Sequence, residues 1–226
     1  MIRLVRITHA IPARIARPID EESCPSCDHS ADALEAAVIL KERLDTLLGP
    51  SFRAYVSAEI ELSSAAAIGD ELALATARQR VILTSRQAAS ELHQFSDAVA
   101  VEQPAWLPPE VDGPRGVQKW VQEHHCRHLR QGPSKDMDLL HDIQDAMKHV
   151  ELRPRANPRQ VTTDKATVAM QTGYGQLPYG EGKFGGAEQL VVTLADGKQR
   201  ALSAVLQNVV DAWRSALGSE LPPINE

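Results

Sequence analysis

The chain has 226 residues, enough for one large domain or two small ones. Hydrophobic residues make up 43%, aromatics only 4%, and the formal charge is -6, a balance that supports a sizeable core and gives no electrostatic reason to expect nucleic acid as a partner. No run of about 18 apolar residues occurs, which excludes a membrane-spanning helix, and three irregularly spaced cysteines exclude a disulfide framework, so a reducing, cytoplasmic setting is expected.

MIRLVRI alternates apolar and basic residues, as a short strand would, and an irregular arm follows to residue 29. Arg3, Arg6, Arg14 and Arg17 stand in the first 19 residues without an acid, but Pro12 and Pro18 and the low serine content speak against an organelle-targeting helix. SADALEAAVILKERLDTLLGP reads as a helix with Ser30 as its N-cap. Its apolar face is Ala37, Leu40, Leu44 and Leu47, and Gly49-Pro50 is the expected stop. Helical periodicity resumes at Ser51, with Phe52, Val56, Ile60 and Ala67 on one face and a break or loosening at Gly69-Asp70. Leu74, Val81, Ala88 and Phe95 then recur every seven residues, the stripe of a long helix packed lengthwise on another.

Residues 99–114 hold Pro104, Pro108, Pro109 and Pro114 and predict an extended surface linker. GVQKWVQEHHCRHLR and KDMDLLHDIQDAMKHVEL follow as helices. In the second, Leu139, Leu140, Ile143, Met147 and Val150 are the apolar positions and Asp138, Asp142 and Asp145 lie opposite, a solvated face. Past a loop at 153–160, KATVAMQT and EQLVVTL are strands, and Asp196-Gly197 marks a tight hairpin. Ser203 caps a last helix whose stripe is Leu206, Val209, Val210, Trp213 and Leu217, ended by Gly218. The fold class is α+β. An N-terminal strand and arm (1–29) precede a helical body (30–152), and a small antiparallel β-meander with a terminal helix (153–226) completes the chain.

Gly180, Gly182 and Gly185 in GEGKFGG satisfy G-x-G-x-x-G. A dinucleotide loop opens a helix, but here a strand follows. A kinase glycine loop lies between strands, and Lys198 follows it at a suitable distance, but the H-R-D and D-F-G segments that kinase chemistry needs are missing. The better reading is a structured connection between strands, with Tyr174, Tyr179 and Phe184 folded back as anchors; no cofactor is expected there.

Cys24 and Cys27 form a C-x-x-C pair, and His124 and His128 stand one helical turn apart. Together they would give zinc a closed, structural tetrahedral shell, with Cys126 as a substitute ligand; the alternatives are a redox pair, or reduced thiols and partly buried histidines. His141-Asp142 resembles the His-Asp signature of metal-dependent phosphohydrolases. That resemblance implies phosphate-ester hydrolysis by a metal-activated water, with His124 or His128 upstream and Asp211 downstream as further ligands. Arg86-x6-His93 is similar to the R-x(4–6)-H pattern of HEPN-type ribonucleases and toxins, although Arg3-x5-His9 meets the same pattern. Asp145-Ala146-x-Lys148-His149, before a β-meander, resembles uncharacterised prokaryotic proteins and implies no activity. The reading the sequence supports first is a non-catalytic binding or accessory protein, self-associating through its long helices or engaging another protein. The phosphohydrolase is second and the ribonuclease third.

Overall fold

The structure is a computed structural model and describes residues 28–128, 132–149, 158–173, 175–183 and 187–218. The expected strand at MIRLVRI, and Cys24 and Cys27, lie outside the described residues. The architecture is α+β: a helical body, a three-stranded antiparallel sheet and a C-terminal helix.

The chain is helical from Asp28 to Ile68 without the stop expected at Gly49-Pro50. α1 (Asp28–Arg43) runs through a π-turn (Leu44–Leu48) into α2 (Gly49–Ile68). Gly49 keeps helical angles of -57° and -53°, and its N–H donates to the carbonyl five residues back, on Leu44. In a regular helix the Pro50 ring would collide with the carbonyl of Thr46, and the wider turn relieves that collision. It also explains a register error. The buried positions Ala36, Leu40, Leu44, Leu48 and Phe52 step by four, which overshoots a 3.6-residue turn until the π-turn absorbs the excess. Leu48 therefore faces the core, and Leu47, the expected core residue, is exposed. On α2 the buried face is Phe52, Tyr55, Glu59 and Leu62, whereas Ile60 and Ala67 point outward. Ser30 is no cap, because α1 begins two residues before it.

Gly69 and Asp70 do break the helix. Gly69 adopts a left-handed φ of 76°, and the Asp70 carboxylate caps α3 (Glu71–Glu102) by accepting from the N–H groups of Leu72 and Ala73. α3 runs on into the stretch expected as linker and ends ahead of Pro104. The segment to residue 112 is compact rather than extended: it turns twice, Leu107 is buried, and the Trp106 ring meets Trp120. α4 (Gly113–His124) leads into a two-residue hairpin, β1 (Arg127–His128) with β2 (Gly132–Pro133), and then α5 (Asp136–Lys148).

The meander follows the expected pattern. β3 (Thr167–Gln171), β4 (Glu188–Thr193) and β5 (Gln199–Ala201) pair in sequence order, with Ala169 opposite Leu190 and Val191 opposite Ala201. The hairpin closes through Gly197 at φ 83°, with Leu194 N–H bonded to the Lys198 carbonyl. α6 (Leu202–Ala216) starts directly from β5, so Ser203 lies inside its first turn and does not cap it. β4 is buried along nearly its whole length between α2 and α6. One apolar cluster joins both parts, with Phe95 of α3 meeting Trp213 of α6 edge to face at 5.0 Å.

Candidate functional site

Polar side chains gather in three clusters, one where α3 meets α5 and two where helices meet the sheet. The first gathers His93 on α3, His141, Asp142 and Asp145 on α5, and Arg159. His93 Nε2 and His141 Nδ1 are 2.8 Å apart, and the rings stack with centroids 5.1 Å apart. His141 Nε2 lies 3.7 Å from Asp145. Asp142 is not on a solvated face. It is buried, accepts the Gln160 N–H at 2.7 Å and faces Arg159 at 3.5 Å. Arg159 reaches Asp145 at 3.0 Å, so one guanidinium spans both carboxylates. Burial and the nearby Lys148 hold His93 below the ordinary histidine value, while Asp97 and Asp145 pull the other way.

Asp211 is exposed on α6 and accepts a hydrogen bond from Gln207 at 2.8 Å. His124 is exposed too, stacked on Trp120 with its Nδ1 2.7 Å from the Trp120 carbonyl. The histidine that meets His141 is thus His93, not one of the pair named for the phosphohydrolase. Arg86, the other half of the ribonuclease pattern, is exposed, seven residues before a histidine whose Nε2 is taken by His141 and whose Nδ1 is buried. Among the described residues no group of three or more His, Cys, Asp or Glu could hold a metal ion; of the four expected zinc ligands, Cys24 and Cys27 lie outside those residues, and His124 and His128 do not share a helix, because α4 ends at His124 and His128 is on β1.

The second cluster holds the glycine stretch. Glu181 accepts from Arg200 Nε at 2.6 Å and from the Ala201 N–H at 3.0 Å. Arg200 also reaches Asp136 at the start of α5, which accepts from Asn208 at 2.7 Å. Burial pushes Glu181 above the ordinary carboxylate value, and Arg200 and the Ala201 N–H oppose that shift. Cys126 lies beside this group and is buried, and burial with the Asp136 charge pushes its thiol up to about 11. The third cluster is centred on Glu59, which accepts from Tyr55 at 2.6 Å and from the Leu190 N–H at 3.2 Å, and pairs with Lys183 at 3.2 Å.

Glu181 and Lys183 therefore pin the G-E-G-K turn to β5 and α2, as a structured connection would require. Of the expected aromatic anchors, Tyr179 is 85% exposed, and Tyr174 and Phe184 lie outside the described residues. Lys198, which suited a kinase reading, pairs with Asp196 inside its own hairpin. Sequence reasoning missed Glu59, Asp136, Arg159 and Arg200. Glu59 had a signal, because it interrupts the Phe52, Tyr55, Leu62 stripe at helical spacing. Arg159 had none, since it lies in a loop whose partners are set by the fold. No protein-family model, curated protein or solved structure matches the chain.

Proposed function

We propose that the chain is a non-catalytic binding protein that self-associates through the outer face of α3. The observation that supports this is a row of exposed apolar side chains on that helix. Leu72, Leu83 and Val101 are 78%, 65% and 79% exposed. At 100° per residue they fall within about 20° of one another, along a stripe of roughly 45 Å. Thr76, Gln79, Gln87, Ser90 and Gln94 fill the stripe between them, and Asp97 is its one acid, with Arg86 at the margin. At the end of the stripe, Val101 and Ile39 of α1 line an open groove of about 240 Å³, whose rim carries Arg43, Asp97 and Glu102.

A surface poor in charge with apolar points along it matches the middle of a protein interface, where burying a charge would be costly. A second copy of the same stripe offers the apolar, amide and hydroxyl groups that such a surface can meet. The candidate catalytic groups, by contrast, have internal roles: Asp142 holds Arg159 and the Gln160 N–H, and His93 holds His141. The buried free thiol of Cys126 accords with a cytoplasmic setting.

The test is mass by light scattering over a concentration series, for wild type and Leu83→Glu. The reading expects a wild-type dimer and a folded Leu83→Glu monomer. A wild-type chain that stays monomeric at its highest soluble concentration would sink it.

A further inference from the structure

We propose that His93 and His141 form an acid-opened latch between α3 and α5. The latch does not depend on self-association; it follows from where hydrogens can sit on the two rings. His93 Nε2 and His141 Nδ1 are 2.8 Å apart, so one of them carries a hydrogen and the other accepts it. His141 Nε2 lies 3.7 Å from the Asp145 carboxylate, which favours a hydrogen on that nitrogen. His141 Nδ1 is then the acceptor and His93 Nε2–H the donor. His93 Nδ1 is left with a bare lone pair; it is buried, with no hydrogen-bond partner among the described residues.

A second proton has no good place in this arrangement. On His93 it would put an N–H at Nδ1, buried without an acceptor. On His141 it would put a hydrogen on Nδ1, facing the His93 N–H across 2.8 Å. If His93 shifted its own hydrogen to Nδ1 to make room, the same buried donor would result. The neutral pair therefore fits the closed contact, and the cation fits only when the rings part and reach water.

Among the described residues, the surrounding charges do not reverse this preference. Asp97 on α3 and Asp145 on α5 favour the cation. Lys148 on α5 and Arg115 on α4 oppose it, and Arg159 sits 3.0 Å from Asp145 and screens its pull. Asp142, also on α5, is turned to Arg159 and the Gln160 N–H. The latch is closed above the ordinary histidine value of about 6.5 and opens as pH falls below it.

The experiment follows the histidine ring signals and the amide exchange of α5 in the wild-type protein from about pH 8 to about pH 5. The expected result is a coupled pair titrating below about 6.5, with α5 protection falling at least about tenfold over the same range after correction for intrinsic exchange. His141→Gln, which takes no proton, removes that pH dependence. Two rings titrating independently near about 6.5, or α5 protection unchanged through their titration, would overturn the latch. Both of these outcomes are read on the wild type, so a variant that fails to fold does not leave the question open.

Discussion

Glu181, in the middle of the glycine-rich stretch, lies 2.6 Å from the Arg200 guanidinium on β5, and the same guanidinium reaches Asp136 on α5 at 2.9 Å. One buried cation thus joins a loop, a strand and a helix. Arg200→Met removes the charge facing both carboxylates and should cost about 3–5 kcal/mol in urea unfolding. Glu181→Gln keeps an acceptor for the Ala201 N–H and leaves Arg200 paired with Asp136, so it should cost no more than about 1 kcal/mol. The pH dependence has a definite sign. Burial raises Glu181 above its unfolded value, so the folded state holds the proton longer as pH rises. Glu181 contributes a loss of stability as pH climbs through that window, and Glu181→Gln should remove that slope.

The glycines of the same segment are not equivalent. Gly180 has a left-handed φ of 90°, whereas Gly182 has neither a left-handed φ nor a neighbour that an added Cβ would meet. Gly180→Ala should cost about 1–2 kcal/mol, and Gly182→Ala should stay within about 0.5 kcal/mol. Thermal melts measure both. A loop that cradled phosphate would use Gly182 for close backbone approach, so a rise in Tm with ATP that Gly182→Ala abolishes would contradict a purely structural role for this turn.

How far the sequence carried these conclusions depended on how local the determinants were. The Asp196-Gly197 hairpin, the α6 stripe and the α3 heptads rest on contacts a few residues apart, and the structure has them. Leu47 was misread and the stop at Gly49-Pro50 failed because the π-turn shifts the register and accommodates the proline; on α2 the apolar pattern pointed to Ile60 and Ala67, whereas the buried face includes the polar Glu59. The clusters were legible only in pieces. His93 and His141 were each noticed, but as parts of different chemistries, 48 residues apart in the chain. Only the crossing of α3 and α5 makes them neighbours. Asp142 read as a solvated carboxylate because its partner, Arg159, comes from a loop with no periodicity to place it.

Asp142 and Arg159 allow a direct comparison of structural and catalytic roles. Both side chains are about nine-tenths buried. Arg159→Ala withdraws the cation between Asp142 and Asp145 and should destabilise by about 3 kcal/mol. Asp142→Asn retains an acceptor for the Gln160 N–H and should cost less, about 1–2 kcal/mol. Chemical denaturation gives both values. The reverse order, with Asp142→Asn the more damaging, would mean that Asp142 has a demand on its charge beyond Arg159.

Cys126 provides a probe of how tightly β1, α5 and α6 close together. Its thiol is buried, lies 3.6 Å from the Asn208 amide, and is raised to about 11. At pH 8 only about a thousandth of it is thiolate, and burial denies a reagent access even to that fraction. Alkylation mapped by mass spectrometry should therefore leave Cys126 unmodified in the native protein and modify it fully in denaturant. The logarithm of its slow native rate should increase in Arg200→Met in proportion to the lost stability, because both report the same opening. Rapid native alkylation of Cys126 would mean that this junction is open in solution, and that Asp136 and Arg200 do not hold it shut.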